Sequence, residues 1–208
     1  QNEQIITSTP ISDLAVGNYT AKALFIDASG GNVSVSSEFH VDKGNTTLSV
    51  DVNESTIYGD GVIVNVTVDC PDKFNLTGIV TITVTDLAGN IIKIDGVDAV
   101  FSKNITTGTD AKVSFNVTGL AVANYNVTAV YHDDANYNGN DSYDLFNVTK
   151  AESHVQLTVE NISFGEYENV TISIADVNAS GKVNITIYDN ESNVINSTVV
   201  ALDSTGPV

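Results

Sequence analysis

Apolar and polar residues alternate along most of this chain. In VIVNVTV, the residues Val62, Val64, Val66 and Val68 face one way while Asn65 and Thr67 face the other. GIVTITVTD sets Val80, Ile82 and Val84 against Thr81, Thr83 and Thr85, and KVSFNV repeats the pattern with Val113, Phe115 and Val117. A period of two sends alternate side chains to opposite faces of a strand, so each segment predicts a strand buried on one side only. No stretch combines a 3.6-residue apolar period with capping residues, as a helix requires. The expected fold class is all-β.

Between Asn45 and Lys150, seven segments read as strands, at about 46–52, 62–69, 79–86, 90–95, 111–117, 124–131 and 142–149. Turn signals every ~8–12 residues make this the pattern of an immunoglobulin-like β-sandwich. Its sixth strand is entered through LAVANYNVTAVY, where Leu120 and Tyr125 fit a tyrosine corner: the ring packs inside and the hydroxyl returns to the backbone. The phrase recurs 106 residues earlier as LAVGNYTAKALF, with Leu14 and Tyr19 in the same places.

The flanks align with this central unit. EFHVDKG (38–44) matches LFNVTKA (145–151), IYGDGVIVNVTV (57–68) matches SFGEYENVTISI (163–174), and GIVTITVTDLAGN (78–90) matches GKVNITIYDNESN (181–193). The chain thus divides into three parts. Residues 45–150 form a complete domain, 1–44 the C-terminal half of another (three strands), and 151–208 the N-terminal half of a third (four strands). The L-x-x-x-N-Y phrase, the segment YHDDANYNGNDS and the closing F-x-V-x-K (Phe39–Lys43, Phe146–Lys150) resemble the immunoglobulin-like repeats of bacterial and archaeal surface proteins, especially methanogen adhesin-like proteins. The resemblance implies a tandem-repeat stalk module. The first copy departs from it, because FIDASGGNVSVSS lacks the acidic, Asn-rich loop.

Charge and composition narrow the function. Eight Lys, no Arg and 26 acidic residues give a net charge of −18. Without a basic cluster there is no electrostatic footing on nucleic acid, and an anionic membrane surface repels the chain. No apolar run is long enough to span a bilayer. The chain begins at Gln1 without an initiator Met or signal peptide, as expected of a processed chain or of a piece of a longer one. Cys70 is the sole thiol, so no intramolecular disulfide can form.

Asparagine changes the picture most. Of 23 Asn, 17 open an N-x-S/T triplet: Asn18, Asn32, Asn45, Asn53, Asn65, Asn75, Asn104, Asn116, Asn126, Asn140, Asn147, Asn161, Asn169, Asn178, Asn184, Asn190 and Asn196. At this Ser and Thr content, chance supplies roughly four such acceptor triplets. Asn is disfavoured in strands, yet here it takes outward positions that Thr or Lys would suit better. N-glycosylation accounts for both the residue and its exposure. It also places the protein outside the cell, at a surface more archaeal than bacterial.

Other chemistry is sparse. DANYNG (Asp134–Gly139) opens like a calcium loop, with Asp133, Asp134, Asn136, Asn138 and Asp141 as weak candidate ligands, but Leu145 stands where the bidentate Glu belongs. His40, His132 and His154 have no metal-ligand spacing, and no nucleophile elbow or phosphate-cradling loop is present. No cofactor beyond covalent glycan is expected, and no enzymatic activity. Lys43 and Lys150 read as linker residues rather than partners in isopeptide bonds.

The expected function is that of a glycosylated, extracellular, pilus-like structural protein. In the leading reading it is a filament subunit whose 151–208 half is completed by the 1–44 half of the next copy. The alternative is a stalk segment completed by adjacent repeats of a longer chain. A third reading is an adhesin module that binds a ligand on a host or neighbouring cell, with Tyr137 and Tyr143 nearest to a binding surface.

Overall fold

The computed structural model describes residues 5–70, 76–105, 111–175 and 180–202, and among them only strands, turns and irregular segments occur. No helix among these residues is long and apolar enough to cross a membrane. The chain divides into two compact units, one of residues 1–56 and 60–149 and the other of 57–59 and 150–208.

The first unit opens with β1 (Gly17–Ile26) and β2 (Asn32–Val41), paired antiparallel from Gly17↔Val41 to Ile26↔Asn32. Of the three strands read for residues 1–44, these are the last two, since residues 5–16 hold no strand. Next come β3 (Thr47–Val52), β4 (Ser55–Ile57), β5 (Val62–Asp69) and β6 (Ile79–Asp86). They are followed by β7 (Lys93–Ile94), β8 (Val97–Asp98), β9 (Val100–Asn104), β10 (Lys112–Val117), β11 (Ala123–Tyr131) and β12 (Asn140–Thr149). One sheet has the order β10-β5-β3 and the other β4-β12-β11-β6-β9.

The inner faces of these two sheets make one core. Val64 and Val66 from β5 and Ile82, Val127, Ala129 and Tyr131 from β6 and β11 are fully buried, all at alternate positions as the period requires. Burying a side chain of the Val or Ile class contributes about 1.5–3 kcal/mol, so the sandwich rests on this shared layer.

The expected strand at 90–95 is corrected by the structure. Lys93–Ile94 and Val97–Asp98 form a small hairpin turned at Asp95 and Gly96, both with positive φ (51° and 82°). That geometry belongs to a two-residue hairpin turn and suits Asp-Gly. The strand that extends the sheet beyond β6 is β9, in register Ile82↔Phe101.

The second unit holds β13 (Val155–Thr158) paired with β14 (Thr171–Ile174), and β15 (Gly181–Tyr188) paired with β16 (Val194–Leu202). The register reproduces that of the central repeat. Ile172, aligned with Val66, faces Leu157 as Val66 faces Val50, and Ile185 stands where Ile82 does.

The core position of Leu120, 5 % exposed, sets the first prediction. Leu120→Ala should lower the stability of the full chain by about 2–5 kcal/mol by leaving a cavity. Tyr125→Phe should lower it by only about 0.5–1.5 kcal/mol, because the carbonyl it abandons, on exposed Ala121, can turn to water. Denaturant unfolding of both variants measures the difference.

Candidate functional site: the junction loop and the bare strand edges

Two tyrosines fix equivalent places. The Tyr125 hydroxyl donates to the Ala121 carbonyl oxygen at 2.8 Å, and the Tyr19 hydroxyl donates to the Ala15 carbonyl oxygen at 2.7 Å. Each ring lies against the phenylalanine opposite it in the hairpin, Phe146 and Phe39 respectively, with centroids 5.4 Å apart in both. Burial pushes the Tyr125 hydroxyl pKa up. Leu120 is buried beneath this turn, whereas Leu14 is exposed.

A second repeated device is a carboxylate turn. Asp86 Oδ1 accepts from the Ala88 and Asn90 backbone N–H groups, and its Oδ2 from Asn90 Nδ2. Asp189 does the same with Glu191 and Asn193. The side-chain bond from Asn90 or Asn193 is the chief reason each carboxyl sits below its ordinary pKa. Asp27 closes the β1–β2 turn on Ser29 and Gly31 in a similar way.

The loop 132–139 between β11 and β12 is built differently, and it grips the chain just ahead of β3. Lys43 Nζ donates to Asp133 Oδ2 at 2.8 Å, and the Gly44 N–H to the Asn136 carbonyl oxygen at 2.8 Å. The Asn138 N–H returns a bond to the Gly44 carbonyl oxygen at 2.9 Å, so Gly44 and Tyr137 form a parallel bridge. Asn138 Nδ2 donates to Asn45 Oδ1, Thr46 Oγ1 to the Asn138 carbonyl oxygen, and Asn140 Nδ2 to the Thr46 carbonyl oxygen. Further back, the Val16 N–H reaches Asn136 Oδ1 at 3.3 Å.

Four consecutive linker residues are thereby tied to one loop. Two glycines permit the fit. A Cβ on Gly44 would stand 3.0 Å from the Tyr137 ring, and one on Gly139 only 2.8 Å from the Tyr131 carbonyl oxygen. Asp134 braces the loop from within: its Oδ2 accepts from the Thr77 N–H and hydroxyl, its Oδ1 from the Asn136 and Tyr137 N–H groups. Burial raises its pKa, but these donors outweigh burial and hold the carboxyl below the ordinary value. At Asp133 the bond from Lys43 is the main cause of a lowered value.

The weak candidate calcium ligands have these protein partners. Asp133 faces Lys43, Asp134 faces Thr77 and two amides, and Asn136 and Asn138 face the linker, while Asp141 is exposed. Among the described residues, no three His, Cys, Asp or Glu side chains are grouped together. Tyr137 is buried at 7 % exposure, and Tyr143 alone of that pair lies open. The sequence placed weight on this loop's acidity. It gave no sign that the partner would be Lys43–Thr46, some ninety positions away.

Other polar candidates have local partners. His40 lies between Asn18 and Asp42, and His132 Nε2 is 3.0 Å from Thr81 Oγ1. Cys70 is buried, and Lys150 and His154 are exposed.

Most acceptor triplets present their Asn to solvent, including Asn18, Asn32, Asn45, Asn53, Asn65, Asn104 and Asn116, and likewise Asn161, Asn169, Asn184, Asn190 and Asn196. Asn126, Asn140 and Asn147 are half-buried. Asn75 and Asn178 lie outside the described residues.

The two flanking segments carry the central repeat's apolar pattern without its cover. Phe25 occupies the place of Tyr131 yet is 67 % exposed, against 0 % for its counterpart. Val33, Val35, Ile187 and Val200 are also exposed. Among the described residues β1 pairs only with β2, and β15 only with β16, whereas their counterparts β11 and β6 pair with each other.

No known protein family and no curated protein matches this sequence. Among solved structures, one similar chain is described as the tetra-tandem repeat in the extending region of a large adhesion protein. It is 24 % identical with a TM-score of 0.35, and the alignment covers 91 % of this chain and 46 % of that one. The present chain thus spans less than half of that structure's length.

Asp134→Asn should destabilise the chain by about 1–3 kcal/mol at neutral pH, because an amide nitrogen would face donors. The carboxyl is depressed in the folded state, so its contribution is full above the ordinary value near ~4 and is lost as pH falls through the folded value. Melting curves of the two proteins should converge in acid below that range. Gly139→Ala should lower stability at every pH, since its methyl group meets backbone.

Proposed function

We propose that this protein is a glycosylated, extracellular structural element of a cell surface, built from immunoglobulin-like repeats and without catalytic activity. The observation that carries the reading is the geometric repeat: Tyr19–Phe39 reproduces Tyr125–Phe146, and β13–β16 reproduce the pairings of β3–β5 and β6–β9. The sheet orders β10-β5-β3 and β4-β12-β11-β6-β9 support an immunoglobulin-like topology. The exposure of twelve acceptor asparagines supports glycosylation, and their density supports an archaeal surface.

In the filament reading, 45–150 is a complete domain, and the 1–44 and 151–208 halves are completed head-to-tail by neighbouring copies. A contact between unlike surfaces need not close into a ring, so it propagates. In the second reading the chain is a stalk segment of a longer adhesin, and adjacent repeats complete the halves. The linker clasp, which ties one repeat to the next within the chain, favours that arrangement equally. Electron microscopy of native material separates the two as fibres or isolated rods.

Native protein should exceed the bare 21.9 kDa polypeptide by several kilodaltons in intact-mass analysis. Peptides carrying Asn140 should be unmodified, because its amide nitrogen already donates to Thr46 inside the clasp. A native mass equal to that of the bare chain would falsify the glycoprotein reading.

A further inference from the structure

We infer that β1 of one copy adds to the free edge of β15 in a second copy, antiparallel and in a fixed register that pairs Lys22 with Thr186 and Ala23 with Ile185. The inference rests on the filament reading and names its joint.

The register follows from the molecule's own geometry. In the central repeat β11 lies beside β6 with Tyr125↔Asp86, Val127↔Val84, Thr128↔Thr83 and Ala129↔Ile82. Tyr19 of β1 corresponds to Tyr125, by the shared phrase, the hydroxyl bond and the ring stacked on it. Asp189, which follows β15, corresponds to Asp86 through the identical carboxylate turn. Transferring one pairing onto the other sets Tyr19 opposite Asp189 and carries Lys22 to Thr186 and Ala23 to Ile185. A slip of one residue would send the apolar set to the solvent face.

Both edges are available. Among the described residues β1 and β15 each have one sheet neighbour where β11 and β6 have two. Both also carry uncovered apolar side chains, Phe25 and Ile187 among them. Unpaired edges beside bare apolar faces drive strand addition. No like charges meet in the inferred register, since Lys22 faces a threonine.

The partner is a second copy rather than the same chain. Residues 43–46 are clasped beside Asn140, at the start of β12, whereas the central domain ends at Thr149, at the other end of that strand. At a rise of about 3.3 Å per residue the two points are ~30 Å apart. The entry to the first unit's sandwich and its exit thus lie at opposite ends of β12, the arrangement that head-to-tail addition between copies calls for.

The test uses the full chain in a Cys70→Ala background, without glycans, with one cysteine per molecule. Lys22→Cys is mixed with Thr186→Cys and oxidised mildly. In parallel it is mixed with Ser197→Cys, which stands opposite Thr186 on β16 and so one strand, ~4.8 Å, further away. The first mixture should give at least tenfold more covalent dimer than the second, and a chain carrying both Lys22→Cys and Thr186→Cys should give a ladder of multimers. Equal yields, no product, or an internally linked monomer from the double variant would overturn the inference. The filament reading is judged separately by electron microscopy: fibres without a Lys22–Thr186 joint overturn this inference and leave that reading standing.

Discussion

A strand with one apolar face needs a second sheet to cover it, and this constraint organises the whole chain. Where the second sheet is supplied, Val64 and Val66 close against Ile82, Val127 and Tyr131, and water is excluded. Where it is not, residues of the same pattern stand in solvent. Phe25 and Tyr131 differ in burial because of what lies opposite them, not because of local sequence. Among the described residues, the flanking hairpins keep the apolar pattern and hold it exposed.

Much of this was legible in the sequence. A period of two needs no tertiary information, so Val62–Val68 and Val80–Val84 fell on strands with the expected faces inward. The repeated Leu-to-Tyr phrase located Tyr125 and Tyr19 before their hydroxyl bonds were visible. The segment 90–95 was misread because adjacent Ile91 and Ile92 imitate a short apolar strand. The Asp95–Gly96 dipeptide was the better signal, since both residues take the positive φ of a tight hairpin. Nothing local marked β4, a three-residue strand held by its neighbour β12.

The junction loop shows where local reading stops. At the level of composition its Asp and Asn residues fit a calcium loop and an oxygen-rich turn alike. Their use depends on which donors the fold brings near: Thr77 and two backbone amides around Asp134, and Lys43 beside Asp133. The β1–β2 turn, at the equivalent place in the first copy, is instead closed on its own Asp27. One position in the repeat thus serves two purposes, either as a self-contained turn or as a socket for the preceding linker. The Lys43–Asp133 pair adds little by itself, its carboxylate being open to solvent and salt. The clasp draws its strength from the backbone bonds on either side of Gly44.

Those backbone bonds have a mechanical consequence. The linker at Gly44 runs parallel to the chain at Tyr137, with bonds crossing sideways between them. Tension along the linker loads such bonds together in shear rather than peeling them one after another. The joint should therefore hold up to a threshold force and then yield at once, freeing residues 43–46. Four residues drawn straight span at most roughly 14 Å, and the slack released is the part of that span the bridge does not already extend. A chain loaded in this way would lengthen by a small step as the clasp yields.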